Sequence, residues 1–443
     1  MNRRPFLALT TLAALATAAG GAPAAENTEA APAAAAAPEN WPCFRGPSRQ
    51  GVSSAPSLPL KWDATKSFTW QTEIPGTGHS SPIVWGDRIF LTTATNEGAS
   101  AEVLCLDAPT GRILWRTKVF DQETARKESR NSYATPTPVT DGQRVYAVFG
   151  SGGIAALSFD GKIEWTFREF RFYSRHGLGA SPLLEDNLLV MPWDWSTDPD
   201  KEGADKERVG WQLPWDRSFV FALHTDSGKL AWKTMRGTSR IAHITPHLWK
   251  SPDGQKHLIS PAGDVVQAFL LPTGEKLWSA ANPGEGVSPS LIIANDLAIQ
   301  PNGFQGAESV RAFRLPNAKG EVAESTMAWE QDKNPPKLPS MVFLHPHVFA
   351  ITEGGMAWCA LASTGELLWR ERINGTFAAS PILNQNRIFI TAENGSTAVL
   401  SASPKFEILA ENPLDLPVQA SPAIYKNSFL IRSSSHLTRI GGD

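Results

Sequence analysis

A glycine followed four residues later by a tryptophan occurs five times in this chain, and it constrains the fold more than any other feature. The pairs are Gly111 and Trp115, Gly161 and Trp165, Gly228 and Trp232, Gly274 and Trp278, and Gly365 and Trp369. A short polar residue precedes each glycine, and apolar residues alternate after it, as in TGRILW and TGELLW. Because glycine takes positive φ at little steric cost, each copy predicts a tight turn between two strands.

A serine or threonine followed by proline marks the start of most repeat units. These dipeptides begin at Ser81, Thr137, Ser181, Thr245, Ser288, Ser380 and Ser421, with a degenerate copy at Ser340. Proline at the first position of a strand costs no ladder hydrogen bond, so each dipeptide predicts the first strand of a unit. A four-stranded unit of about 40–50 residues has the length of a β-propeller blade.

The eight units predict an all-β fold, an eight-bladed β-propeller, with seven blades as the alternative. The last unit ends after three strands, so we expect residues 68–72 to supply its fourth strand and close the ring. In the seventh unit Leu409 stands where a tryptophan would be expected. A tryptophan at one fixed place in each blade predicts packing between blades. The predicted packing residues are Trp70, Trp115, Trp165, Trp232, Trp278, Trp329 and Trp369.

We expect four segments along the chain. Residues 1–25 combine the pair Arg3 and Arg4 with an apolar stretch that ends in small residues, which predicts an export signal peptide of the twin-arginine or general secretory type. Residues 26–40 are rich in alanine and proline and predict a disordered linker. An N-terminal cap segment at 41–66 precedes the propeller at 67–441. The expected location is therefore the periplasm or the exterior, with no membrane span after signal removal.

Charge and cysteine content narrow the function classes. The net charge is −3 and the pI is near 6.3, so no broad basic surface for nucleic acid is expected. The three cysteines are Cys43, Cys105 and Cys359, and an odd number forbids a complete disulfide framework, although two of them could pair. Cys105 and Cys359 occupy third-strand positions, where we expect buried thiols.

The direction of the strands, lettered A to D from the channel outward, places the candidate site. The B–C loops and the D–A connections between blades share one face, and the residues ahead of each Ser-Pro surround the axial channel. The predicted channel residues are His79, Arg130, Asn131, Arg175, His176, Arg240, His243, Glu285 and Gln419. Because basic and imidazole groups predominate, they indicate an anion-accepting pocket, and the alternative is a solvated ring of mixed charge.

One B–C loop is much longer than the others. It spans residues 191–218, and its tryptophans and aspartates predict a lid over the channel mouth. The alternative is a surface loop that packs on itself. The predicted lid residues are Trp193, Asp194, Trp195, Trp211 and Trp215. No catalytic residues are evident and no metal site is predicted, because the histidine pairs lack a third ligand.

The Ser-Pro openings, the Thr-Gly-x-x-x-Trp endings and the eight units resemble the pyrroloquinoline quinone (PQQ) repeat propellers. This family includes quinoprotein alcohol dehydrogenases and an outer-membrane assembly lipoprotein. The resemblance covers residues 41–441, and WPCFRGPSRQG at 41–51 looks like the opening of exported bacterial PQQ-repeat-like proteins. It makes PQQ a candidate cofactor. The dehydrogenases hold PQQ beside calcium and a pair of adjacent cysteines. This chain lacks adjacent cysteines and a matching set of calcium ligands, so calcium is not expected.

Three hypotheses about function follow. The first is an exported, non-catalytic binding or scaffold module that uses its B–C/D–A face to bind an envelope protein or a small anionic ligand. The second is a PQQ-dependent oxidoreductase with a reduced active site, and the third is a subunit of a larger assembly. We expect a monomer.

Overall fold

The computed structural model describes residues 40–63, 66–200, 208–285, 287–304, 308–315, 318–322 and 327–442. The expected signal peptide and all but the last residue of the expected linker lie outside this range. In the described part of the chain, the only helical segment is a 3-10 turn at Asn96–Gly98. A search of the same residues finds no helix long and apolar enough to cross a membrane.

Eight separate sheets follow one another along the chain, which confirms the eight-bladed β-propeller and excludes the seven-bladed alternative. Strands β1 (Val52–Ser53) and β2 (Phe68–Glu73) join the last two blades. Blade 1 contains β3 (Ile83–Trp85), β4 (Arg88–Thr95), β5 (Ser100–Asp107) and β6 (Ile113–Asp121). Blade 2 contains β7 (Val139–Thr140), β8 (Arg144–Val148), β9 (Ile154–Ser158) and β10 (Ile163–Phe167). Blade 3 contains β11 (Leu183–Glu185), β12 (Leu188–Trp193), β13 (Phe219–His224) and β14 (Leu230–Met235).

The remaining blades repeat the same antiparallel order. Blade 4 contains β15 (His247–Lys250), β16 (Lys256–Pro261), β17 (Asp264–Leu270) and β18 (Lys276–Asn282). Blade 5 contains β19 (Ile292–Ala294), β20 (Leu297–Pro301), β21 (Val310–Arg314) and, after β22 (Gly320–Val322), β23 (Met327–Gln331). Blade 6 contains β24 (Val342–Leu344), β25 (His347–Ile351), β26 (Met356–Leu361) and β27 (Leu367–Arg372). Blades 7 and 8 contain β28 (Ile382–Asn384), β29 (Arg387–Thr391), β30 (Thr397–Ser401), β31 (Ile408–Asn412), β32 (Ala423–Tyr425), β33 (Ser428–Arg432) and β34 (His436–Ile440).

The ring closes as the sequence predicts. Strand β2 pairs antiparallel with β34 and so completes blade 8, with Trp70 opposite Arg439. Two other strands join existing blades in parallel. Strand β1 adds to the channel side of β28 in blade 7, and β22 adds to the outer edge of β18 in blade 4. Closure by an N-terminal strand joins the beginning of the propeller to its last blade, so that blade 8 is a complete four-stranded sheet.

The glycine and the tryptophan of each repeat act at two different blade junctions. Gly274 of blade 4 packs on Trp232 of blade 3, and a β-carbon on Gly274 would lie 2.4 Å from that indole ring. The Trp232 indole N–H donates a hydrogen bond of 3.0 Å to Leu271 O, just ahead of the same turn. Each Gly turn is therefore the receptor for the tryptophan of the preceding blade, which explains why the two residues repeat together.

Six of the predicted packing tryptophans make this hydrogen bond to the next blade, with lengths of 2.8–3.0 Å. The donor and acceptor residues are Trp70 and Ala108, Trp115 and Phe159, Trp165 and Thr225, Trp232 and Leu271, Trp329 and Ala362, and Trp369 and Ser403. Trp278 is the exception, because its indole nitrogen is buried and has no partner among the described residues.

The Ser/Thr-Pro residues form a second, inner link between blades. The Ser181 hydroxyl accepts the backbone N–H of Thr137 at 2.9 Å, and Ser181 N–H donates to Thr245 Oγ1 at 3.0 Å. The same link joins Ser81 to Thr137, Ser290 to Ser340, Ser340 to Ser380, and Ser380 to Ser421. Buried backbone N–H groups need a partner, so these hydroxyls are structural.

Two predicted positions shift by a small number of residues. In blade 5 the inner link uses Ser290 instead of the expected Ser288, because β19 begins at Ile292, two residues after Ser290, as in the other blades. In blade 7 the tryptophan position belongs to Ala410 instead of Leu409. A β-bulge between Val399 and Leu400 places Ala410 in the register that tryptophan has elsewhere. Both corrections reflect strand register, which the motif alone does not specify.

All three cysteines are free and buried. Cys105 lies in β5 and Cys359 in β26, the third strands of their blades, as predicted. Burial raises the pKa of Cys105 to about 11 and that of Cys359 to about 12. The thiols are therefore protonated at neutral pH and serve as small apolar side chains.

Candidate functional site

The blades surround an axial cavity of about 830 Å³. The hydroxyl residues of the inner links form part of its wall, and the D–A connections form its rim. Isolated bridges such as Thr77 with Ala94 and Glu285 with Phe304 join the D–A connections to B–C strand ends and loops, so both lie on one face. Seven of the nine predicted channel residues line the cavity, namely His79, Arg130, Asn131, His176, His243, Glu285 and Gln419.

The N-terminal residues 40–53 close the other end of the channel, and we call them the plug segment. The Phe44 ring lines the cavity, and β1 pairs with the channel edge of β28. Backbone and side-chain hydrogen bonds tie the plug segment to the innermost strands of six blades. The pairs are Trp41 with Val84, Pro42 with Thr140, Arg49 with Leu184, Gln50 with Ile293, Arg45 with Met341 and Gly51 with Leu383. The cavity is therefore a blind pocket that opens on the B–C/D–A face.

The three histidines of the cavity are uncharged at neutral pH. Burial lowers the pKa of His243 to about 3 and that of His176 to about 4, and nearby Arg175 adds to the second effect. Burial and Arg432 likewise lower the pKa of His79 to about 4. The rings of His176 and His243 lie 6.0 Å apart, centroid to centroid. These residues consequently offer neutral hydrogen-bonding groups instead of the cationic surface expected from the sequence.

Glu285 is the acidic counterpart of these histidines. Burial raises its pKa to about 7, an effect that a hydrogen bond from Trp211 and the charge of Arg240 partly offset. Arg240 itself is held by Asp264, with a shortest ion-pair distance of 2.5 Å. Arg240 was predicted to supply positive charge to the pocket, but Asp264 neutralises it outside the cavity wall. Near neutral pH the Glu285 carboxyl is therefore poised between donor and acceptor.

Trp211 brings the long loop of blade 3 to the cavity. Its ring lies 4.4 Å from the Arg175 guanidinium and 5.4 Å from the His176 ring, centroid to centroid for the latter. Arg175 was predicted to line the channel, but in the structure its guanidinium stacks on the Trp211 ring instead. Phe304 contributes another aromatic surface to the pocket.

The other predicted lid residues lie elsewhere. Trp193 ends β12 in the buried core, and its indole N–H donates to Arg171 O at 3.0 Å. Asp194 is buried in an ion pair of 2.5 Å with Arg236. Trp195 and Trp215 pack on each other with centroids 5.9 Å apart. Trp193 and Asp194 thus correct the lid prediction, because strand β12 continues through Trp193 and Asp194 is held in a buried ion pair directly after it. Residues 201–207 of the loop lie outside the described range.

Sequence reasoning missed Phe44 and the hydroxyl ring as parts of the pocket. The signal for Phe44 was the dense WPCFRGPSRQG string, which is too rich in glycine, proline and arginine for an ordinary surface cap. Among the described residues, no group of three or more histidine, cysteine, aspartate or glutamate side chains is arranged to hold a metal ion.

The curated relative with the following match covers only part of this chain. The polyvinylalcohol dehydrogenase of a Pseudomonas species is 23% identical over an alignment of 289 residues that covers 55% of this chain and 42% of that protein. The chain thus spans less than half the length of this relative. Its alcohol substrate is a property of that protein.

Solved structures extend the likeness to nearly the whole propeller. BamB from Moraxella catarrhalis superposes with a TM-score of 0.57 at 12% identity, covering 85% of this chain and 99% of that chain. The quinohemoprotein alcohol dehydrogenase from Comamonas testosteroni superposes with a TM-score of 0.59 at 12% identity, covering 91% and 81%. At these identities the likeness shows the fold alone.

A family model settles the family. The PQQ-repeat family described as outer membrane protein assembly factor BamB matches residues 52–167 and 308–440, more than half of the chain. The matched ranges include the Gly-x-x-x-Trp copies at Trp115, Trp165 and Trp369 and the closing strand β2. The unmatched middle contains blades 3 and 4, and the long loop of blade 3 departs from the repeat there. By this match the chain belongs to the PQQ-repeat family of outer membrane protein assembly factor BamB.

Proposed function

We propose that this protein is an exported, non-catalytic binding module whose axial cavity takes an uncharged, hydroxyl-rich ligand. The observation that carries the proposal is Gln419, which lines the blind pocket and whose Oε1 atom is buried and has no hydrogen-bond partner among the described residues. An orphaned buried acceptor is costly, and a ligand hydroxyl would satisfy it. The pocket volume of about 830 Å³ lies within the range of small-molecule sites.

The charges of the pocket favour an uncharged ligand over the small anion expected from the sequence. Among the described residues that line the cavity, Arg130 is the one arginine or lysine, whereas Glu128 and Glu285 are acidic. The histidines are neutral, and Trp211 supplies an apolar face. Neutral hydrogen-bonding groups beside an aromatic ring suit a saccharide or another polyol, because its hydroxyls and its C–H face can both be matched.

The same residues do not fit PQQ, which the family resemblance implies as a cofactor. PQQ is a planar tricarboxylate, so its site must supply several cations. Here Arg240 is paired with Asp264 and Arg175 stacks on Trp211, while Glu128 and Glu285 face the cavity. Bringing three carboxylates against two acidic side chains would cost more than Arg130 returns.

Titration with neutral saccharides and with PQQ distinguishes the two functions. Saturation-transfer NMR of the whole chain should show contact with neutral oligosaccharides, and Gln419→Ala and Trp211→Ala should abolish it. The matched control is Trp369→Phe, which alters a tryptophan far from the pocket. Reduction of a dye with an alcohol substrate that depends on added PQQ and calcium would overturn the non-catalytic assignment.

The pH dependence of binding tests the role of Glu285. Its pKa near 7 lies above the ordinary value of 4.5, so the proton is held more tightly in the folded pocket. We expect affinity for a neutral ligand to fall as pH rises through about 7, since the carboxylate form then draws water into the pocket. Glu285→Gln mimics the protonated form and should flatten the profile, and an unchanged profile would remove Glu285 from the site.

We further propose that the module acts in the envelope and presents this face to a protein partner. The leader-like residues 1–25 and the BamB family description support this assignment. Cross-linking from a cysteine introduced at exposed Arg130 should capture a partner in the periplasm. The same cysteine at exposed Lys162, on the opposite face, serves as the control, and equal capture from both positions would contradict the proposal.

A further inference from the structure

A second, smaller cleft opens beside the axial cavity, and nothing in the proposed function uses it. It has a volume of about 160 Å³ and lies between the D–A connections that enter blades 2 and 3. The B–C turn of blade 2, residues 149–153, contributes to its wall. We call it the basic cleft, because its lining includes Arg126, Lys127, Arg168 and Arg171 but only one carboxylate, Glu123.

The positive charge of the basic cleft is only partly neutralised. Arg171 pairs with Glu123 at 2.8 Å on the protein surface. The Arg168 guanidinium lies 5.0 Å from the centre of the Phe120 ring and donates to Asp121 O at 3.2 Å.

Lys127 faces a ring as well. Its ammonium lies 5.4 Å from the centre of the Tyr133 ring. Within the described residues, neither Lys127 nor Arg168 forms an ion pair with a carboxylate. Lys127 and Arg168 thus place two cations without a carboxylate partner in one cleft of a chain whose net charge is −3. This arrangement indicates a local anion site and not a general property of the surface.

A buried hydroxyl group in the same cleft points to a ligand independently of the charges. Ser151 Oγ is buried and has no hydrogen-bond partner in the part of the chain that the structure describes. Its backbone is fixed on both sides, because Ser151 N–H donates to Gln122 Oε1 at 3.3 Å and Ser151 O accepts Phe172 N–H at 3.2 Å. The backbone thus holds the hydroxyl at the cleft wall, where an oxygen acceptor bound in the cleft would satisfy it.

The cleft is preformed by contacts between its two walls. The Tyr133 hydroxyl donates to Ala125 O at 2.7 Å and so fixes the conformation of the connection that enters blade 2. Asn131 Nδ2 donates to His176 O at 2.9 Å and so ties the connection that enters blade 2 to the connection that enters blade 3. A site that is ordered before binding loses little conformational entropy when the ligand enters.

We infer that the basic cleft binds the phosphate group of a phosphorylated ligand. A phosphate carries up to two negative charges and several acceptor oxygens, so it can engage Lys127, Arg168 and Ser151 from different directions. The small volume admits the phosphate group but excludes a large aromatic anion. The group can belong to free phosphate, to a soluble phosphomonoester or to a lipid headgroup, and all three share this chemistry.

Calorimetric titration of the whole chain with inorganic phosphate at low salt tests the inference. We expect saturable binding at one site, weakened at least about tenfold by Lys127→Gln and by Arg168→Gln, since each removes one charge-assisted hydrogen bond. Ser151→Ala should weaken it by a smaller factor without changing the salt dependence. Arg370→Gln, which alters an exposed arginine of blade 6, is the matched control and should leave binding unchanged.

The source of the phosphate follows from parallel titrations with glycerol 3-phosphate and with phosphatidylcholine vesicles that contain or lack phosphatidic acid. The site is supported if glycerol 3-phosphate or the vesicles with phosphatidic acid bind and Arg168→Gln weakens that binding. Whichever of the two binds identifies the source of the phosphate. Phosphate binding that Lys127→Gln, Arg168→Gln and Ser151→Ala leave unchanged, or no binding in the millimolar range, overturns the inference. Equal thermal unfolding midpoints in the absence of phosphate show that the variants are folded.

Discussion

The junction between blades 3 and 4 and the junction between blades 4 and 5 use the same architecture with different chemistry. At the first, Trp232 donates to Leu271 O, Gly274 packs on its ring, and Ser181 links to Thr245. At the second, the indole nitrogen of Trp278 and the hydroxyl of Ser290 are both buried, and neither has a partner within the described ranges. One junction satisfies both interblade links, and the other satisfies neither.

The irregular junction is reinforced in a different way. Blade 5 lacks the Gly turn, and strand β22 instead pairs in parallel with β18, with Gly320 opposite Trp278. Trp278 remains buried, so its apolar contacts persist although its hydrogen bond is lost. Burial of the tryptophan ring therefore holds a blade junction together, while the two interblade hydrogen bonds fix the register of one blade against the next.

The largest expected effect is the loss of a junction tryptophan. Trp232→Ala should lower the free energy of unfolding by about 3–5 kcal/mol, because it opens a cavity and leaves Leu271 O without its donor. Trp278→Ala should cost nearly as much through its cavity alone. Urea unfolding measures both values. A change below about 1 kcal/mol in Trp232→Ala would show that the ring does not hold the junction.

A methyl group at the Gly turn tests the shape of the regular junction. Gly274→Ala should cost about 2–4 kcal/mol, since its β-carbon would clash with Trp232 and its φ of +72° is unfavourable for alanine. Gly254→Ala in the same blade is the control. Its φ is +88° and no atom lies within 4 Å of the added carbon, so only the backbone strain of about 1 kcal/mol remains. Equal costs would mean that the Trp232 ring yields freely.

The sequence predicts what repeats and fails where the molecule departs from the repeat. The Gly-x-x-x-Trp spacing yields the eight blades and the strand that closes them, because each copy encodes a turn and a packing residue. Strand register escapes it, so Ser290 replaces Ser288 and Ala410 replaces Leu409. Two residues can both fit a local pattern, and only the pairing with neighbouring strands chooses between them.

The strand order predicts which residues meet at the axial cavity but not their charge. The D–A positions bring His243 and Glu285 to one cavity. Their charge, however, depends on burial and on neighbours distant in sequence, as the pairing of Arg240 with Asp264 shows. The plug segment is also hidden from the sequence, because its contacts with six blades are all non-local.

The inner links give an intermediate effect that separates the two junctions. Thr245→Val removes the Oγ1 acceptor of Ser181 N–H at the junction of blades 3 and 4 and keeps the side-chain volume, so we expect a loss of about 1–3 kcal/mol. Ser290→Ala should change stability by less than about 0.5 kcal/mol, because the deleted hydroxyl has no partner to lose. Thermal unfolding of both variants provides the measurement, and equal losses would contradict two different inner links.

The smallest effect isolates the indole hydrogen bond from burial of the ring. Trp232→Phe and Trp278→Phe remove similar apolar volume, but only the first leaves a carbonyl without its donor. Trp232→Phe should therefore be the more destabilising of the two by about 1 kcal/mol. Parallel urea unfolding curves with matched m-values give this difference directly. If Trp278→Phe were instead the costlier change, the Trp278 indole nitrogen would have a partner in solution, and the distinction between the two junctions would fail at its outer link.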